Sequence, residues 1–133
     1  MKKKPQPQLI IRDLRRNRSI RSGSIHGVIY WKFGSRSFPE RDWDDFVSVL
    51  MAWWRTELFM KARRRRNFSL TFMDGPLRIK GIHLYKDDFL IKLIRRRKVV
   101  DIYHVNLNEL IAAFRKAEMI YKVRSRTLRL YTH

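Results

Sequence analysis

Residues 67–105 read NFSLTFMDGPLRIKGIHLYKDDFLIKLIRRRKVVDIYHV, and the alternation inside this stretch decides the fold. Phe68, Leu70 and Phe72 alternate with Asn67, Ser69 and Thr71, which is the period of two of a strand with one buried face. Asp74-Gly75-Pro76 supplies a turn. Leu77 and Ile79 then alternate with Arg78 and Lys80, and at Gly81 the phase slips so that Ile82 and Leu84 continue the apolar face. A glycine at such a slip suggests a β-bulge. Lys86-Asp87-Asp88 turns again, and Phe89, Ile91 and Leu93 make the next strand. After the basic loop Arg95-Arg96-Arg97-Lys98 the chain returns through Val99 to Val105. Strands in sequence with tight turns predict an antiparallel meander.

On the N-terminal side, Ile25 to Phe33 reads as a strand that stops at Gly34-Ser35. Ser37 to about Lys61 reads as a long helix. Ser37 and Glu40 have capping-box spacing, and Pro39 falls in the first turn, where its missing N–H costs nothing. Glu40, Asp42, Asp44 and Asp45 crowd its positive end, and Arg63 to Arg66 follow its negative end. Trp43, Phe46, Val47, Leu50, Trp54 and Leu58 form its apolar stripe, with Met51, Trp53 and Phe59 widening it. On the C-terminal side, Asn106 and Glu109 form a second cap signature, and Leu107, Leu110, Ile111, Phe114 and Tyr121 predict a helix of about four turns. Val123 to Tyr131 fits either a last strand or a loose tail. The fold class expected is α+β: an antiparallel meander sheet with a long N-terminal helix and a shorter C-terminal helix packed on one face. Residues 1–23 read as a basic N-terminal arm, with Ser22-Gly23-Ser24 as its hinge and Leu9, Ile10, Ile11 and Leu14 able to dock part of it. Residues 24–133 read as a single α+β domain.

The totals bound the function. A chain of 133 residues favours one domain, and 44% hydrophobic with 13% aromatic residues argues against disorder. There is no cysteine, which excludes disulfides and thiolate metal sites and suits a cytoplasmic location. No apolar run approaches the roughly 20 residues that cross a bilayer. Met1-Lys2-Lys3-Lys4 leads into polar Pro5-Gln6-Pro7-Gln8, so a secretory signal is not expected. Lys plus Arg number 31 against 12 acids, a formal net charge of +19. Self-repulsion at that charge opposes compaction, so it points to an anionic partner. Solubility alone needs a net charge of only roughly 2–8.

The candidate binding residues are the arginine-rich segments. They are Arg12, Arg15, Arg16 and Arg18 in the arm; Arg63, Arg64, Arg65 and Arg66; Arg95, Arg96, Arg97 and Lys98; and Arg124 and Arg126. The planar guanidinium suits phosphate or carboxylate. Trp31 and Trp53 could line a groove and stack bases, whereas Trp43 and Trp54 belong to the core stripe. Nothing calls for catalysis, a cofactor or a metal. The four histidines lack metal-ligand spacing, no glycine-rich phosphate loop exists, and Asp74 followed by Lys80 is not diagnostic of a nuclease.

One set of residues carries a family likeness. Gly27-x-Ile29-x-Trp31, Phe38-Pro39-x-x-x-Trp43-x-Asp45-Phe46, Trp53-Trp54 and Phe72-Met73-Asp74-Gly75-Pro76 resemble a set of small bacterial proteins, some of which look like immunity proteins encoded beside toxins. The resemblance covers about residues 25–85. It implies a strand–helix–meander fold and binding to a protein by surface complementarity, with no catalytic residues to carry over. Immunity proteins against nucleases are typically acidic and this chain is strongly basic, so a toxin partner would need an acidic face. The expected function is therefore a non-enzymatic basic protein that docks on a polyanion, nucleic acid first, through backbone contacts. The alternative is neutralisation of a toxin by protein–protein binding.

Overall fold

The computed structural model describes residues 4–16 and 24–131. The chain is α+β, but its strands form two antiparallel sheets and not one meander. The first contains β1 (Pro7–Arg16), β2 (Ile25–Phe33), β3 (Arg36–Phe38) and β4 (Asp44–Asp45). β1 pairs one side of β2, and β3 and β4 pair the other. Then come α1 (Val47–Thr56), a π-helical turn (Glu57–Lys61) and a 3-10 turn (Ala62–Arg64). The second sheet is the meander of β5 (Phe68–Thr71), β6 (Leu77–Tyr85), β7 (Asp88–Arg95) and β8 (Lys98–Asn106), in that spatial order. α2 (Leu107–Tyr131) closes the fold.

The expected long N-terminal helix is corrected by β3 and β4. Ser37 is not a helix cap; it pairs with Lys32 in a tight hairpin. Phe38 is buried beside the cis Phe38–Pro39 peptide. The chain then runs back along β2, with Asp45 opposite Gly27, and α1 starts mid-chain at Val47 with no acid in its first turn. The capping-box spacing was genuine as a pattern, but the open side of β2 offered those backbone groups strand partners instead. The second helix, expected to be the shorter, is the longer. It has 25 residues and absorbs the segment read as a last strand or tail. Asn106 caps it: its Oδ1 accepts from Asn108 N at 2.8 Å.

Part of the segment read as an arm is β1, in register with β2 from Pro7 opposite Phe33 to Arg16 opposite Ile25. Leu9 and Ile11 enter the core. Its register shifts between Arg12 and Arg15, where Asp13 has a φ of 53°. Gly27 lies against that irregularity. A Cβ there would stand 2.8 Å from Leu14 Cδ2 and 3.0 Å from the Arg12 carbonyl oxygen. Ser22-Gly23, read as a hinge, lies outside the described residues.

Both sheets and both helices share one core. α1 packs on β2 and β5, and α2 runs along β1 and reaches β8, so the helices do not lie together on one face of a single sheet. Gly81 is not a bulge. It pairs in register with Phe68 and Ile91, and the shift falls between His83 and Tyr85. Gly81 is required because the Phe68 ring lies across it, 2.2 Å from where a Cβ would stand. The apolar face therefore does not continue through Ile82 and Leu84: Leu84 is exposed and Ile82 lies on the outer face.

A cationic sheet face as the candidate functional site

The residues of the family-like pattern come together, and what they build is packing. Asp45 is 6% exposed. Its carboxylate accepts from Trp43 Nε1 at 2.9 Å, Phe46 N at 2.7 Å and Met73 N at 3.3 Å. One side chain thus ties β4 to the start of α1 and to the loop after β5. Phe72 sits among Phe38, Trp43 and Trp54, with ring centroids 5.9, 6.5 and 5.2 Å away, all edge-on. Trp54 Nε1 donates to the Thr71 carbonyl at 2.8 Å. Trp31, read as able to line a groove, is fully buried between Phe33 and Trp54; Trp53 is 45% exposed.

The arginine segments do not converge. Arg12 pairs with Asp42 and with Asp13, and Arg15 holds both oxygens of Asp44 at 2.9 Å. Two of the acids read as helix-dipole residues, Asp42 and Asp44, therefore neutralise cations of β1 instead. Arg16 ends β1, and Arg18 lies outside the described residues. Arg63 stacks on Phe59, 4.3 Å from its centroid, with Arg55 and Arg115 at 4.7 and 5.3 Å. Arg55 is also held by Glu118, at 2.7 Å. Arg64, Arg65 and Arg66 are exposed at the end of the first helical segment. Arg124 and Arg126 are exposed on the second half of α2. Arg95 turns inward, donating to the Pro39 carbonyl beside the Phe38 ring.

Arg96 and Arg97 occupy the tip of the β7–β8 hairpin, at the opposite end of the second sheet from Arg63–Arg66. β7, with 8 residues, sets those ends about 25 Å apart.

The outer face of the second sheet supplies what the arginine runs did not reveal. Its register places Ser69, Lys80, Lys92 and Ile102 in one cross-strand row, and Thr71, Arg78, Ile94 and Val99 in the next. A third row is Ile82, Leu90 and His104. The inner positions, such as Ile79, Ile91 and Leu93, are in the core. Among the described residues, no carboxylate lies within salt-bridge distance of Arg78, Lys80, Lys92, Arg96 or Arg97. At the hairpin end this face opens into a cleft of about 480 Å³ lined by Gly75, Pro76, Arg78, Ile94, Arg96 and Arg97. Arg96 N donates to the Pro76 carbonyl at 3.0 Å, which fixes the hairpin tip against the turn before β6.

Arg78, Lys80 and Lys92 were not singled out in the sequence because each stands alone between apolar residues. The signal was the strand alternation itself, which puts all three outside once β6 and β7 are paired. No group of three or more His, Asp or Glu side chains among the described residues is placed to hold a metal ion. Among the described residues, no helix is long and apolar enough to cross a membrane. No family model, curated protein or solved structure matches this chain.

Proposed function

We propose that this protein is a non-enzymatic binding protein that docks on a polyanion, nucleic acid first, through the outer face of its second sheet. The observation that carries the reading is the pairing of Lys80 with Lys92 directly across β6 and β7. Like charges at opposed sheet positions destabilise the sheet, and here Arg78 adds a third cation on the same face with no acid among the described residues to offset it. A phosphate backbone offsets all three and releases counterions in doing so. The face presents cations with few groups that could read base edges, so contact is to the backbone and sequence discrimination is weak.

The test is binding to DNA and RNA across a salt series. The log–log slope against salt is expected to flatten by about two when Lys80 and Lys92 are both replaced by alanine. No retention of either nucleic acid in dilute buffer removes the reading.

A second reading, the neutralisation of an acidic protein as in a toxin-immunity pair, draws on the apolar part of the same face. Ile82, Leu90 and Ile102 stand beside the lysines, each partly exposed, which is how a protein interface with an apolar centre and charged rim is built. It predicts a one-to-one complex with an acidic protein whose affinity changes little with salt.

A further inference from the structure

The β7–β8 hairpin is built against its own backbone preference. Arg95 pairs with Lys98, leaving Arg96 and Arg97 as a two-residue loop. Both have positive φ, 51° and 68°. A type I′ two-residue hairpin needs this at both central positions, and Asn-Gly meets the need with the least strain. A side chain such as arginine sits there at a conformational cost. This chain places guanidinium groups at both positions and directs them into a cleft with a third, Arg78. Strain held at a turn that a cheaper sequence would satisfy points to a use for the side chains. The hairpin tip is anchored through Arg96 N to the Pro76 carbonyl, so the three groups are held on rigid elements.

Resting on the docking function proposed above, the geometry points to this cleft as the seat of a terminal phosphate monoester at the end of a nucleic-acid strand. Three forked donors with no carboxylate among them suit a dianion with three free oxygens. An internal phosphodiester offers one charge and two free oxygens. The cleft is bounded at the hairpin end of the sheet by Gly75-Pro76, and it opens onto the face that carries Lys80 and Lys92. A strand lying along that face would place its backbone on the lysines and its end among the arginines.

The test compares one short oligonucleotide carrying a 5′-phosphate, a 3′-phosphate or hydroxyls at both ends, with the wild type and with Arg96→Asn/Arg97→Gly. That double variant keeps the turn and relieves its φ, so it folds. The wild type is expected to prefer one phosphorylated end by about tenfold or more, and the variant to bind all three equally, at the level of the wild type with the unphosphorylated strand. Which end is preferred identifies the strand polarity. Equal wild-type affinity for all three overturns the inference and leaves the docking function standing. A preference that survives in the variant also overturns it. No binding to any of the three overturns the docking function itself.

Discussion

Lys80 and Lys92 face each other across β6 and β7, and among the described residues no carboxylate is in reach of either. Neither is fully exposed, so solvent screens their repulsion less than it would at a free surface. Replacing one by an acid turns repulsion into attraction. Lys92→Glu is expected to raise stability by about 0.2–1 kcal/mol while weakening binding to nucleic acid. Chemical denaturation and a binding titration on the same variant check this. If Lys92→Glu loses stability, or binds as the wild type does, the face is not held for an anion.

Asp45 is the fastener of the first half of the chain. Three N–H donors, from Trp43, Phe46 and Met73, end on its carboxylate. Asp45→Ala leaves all three part-buried donors without this acceptor, and a loss of about 3 kcal/mol in unfolding free energy is expected from urea denaturation. Asp45→Asn keeps one acceptor oxygen and is expected to lose less.

Gly81 and Phe68 are a matched pair. A methyl group on Gly81 would stand 2.2 Å from the Phe68 ring, and that ring is buried against Phe89, with centroids 5.4 Å apart. Gly81→Ala is expected to cost about 1–3 kcal/mol by overpacking. Combined with Phe68→Leu, the two losses should sum to more than the double variant shows, a coupling that a double-mutant cycle measures.

Tyr103 joins the two sheets. Its ring stacks on Phe33 with centroids 5.5 Å apart, and its hydroxyl donates to Asp101. Burial, the hydrogen bond to Asp101 and the charge of Asp101, in that order, push its pKa from 10.0 up to about 12, with Arg36 opposing. A raised pKa means that the folded state holds the proton more tightly than the unfolded state. The resulting stability is complete below pH 10 and is lost as pH climbs from about 10 towards 12. Asp101→Asn removes the charge and should bring the phenolate transition, followed by ultraviolet absorbance, to lower pH. An unmoved transition would show that the Asp101 charge contributes nothing measurable.

The legible parts of this fold are those whose signal is local. The alternation at Phe68–Leu70, Leu77–Ile79 and Phe89–Ile91–Leu93 placed β5, β6 and β7 because strand periodicity is written residue by residue. The Asn106 cap placed the start of α2 for the same reason. Residues 37–46 misled because a capping-box spacing and a proline match a helix start over four residues, while their actual partner, β2, lies elsewhere in the chain. Gly81 misled because a glycine in a strand serves a bulge and a covering aromatic ring equally well, and only the position of Phe68 separates the two.

The candidate site was half legible. Arg96 and Arg97 were visible as part of a run, but Arg78, Lys80 and Lys92 join them only through the register of β6 and β7. Arg12 and Arg15 looked equivalent to the other arginines, and their ion pairs with Asp42 and Asp44 set them apart.

By itself the sequence determined the charge of +19, the run of strands β5 to β8 and the existence of two helices, but not the separate first sheet, since charge is a sum and periodicity is local. Only the tertiary structure decided which cations stand free. Electrostatic interaction depends on separation in space, and Arg15 meets Asp44 across 29 positions of chain while Lys80 meets Lys92 with no carboxylate among the described residues to neutralise either.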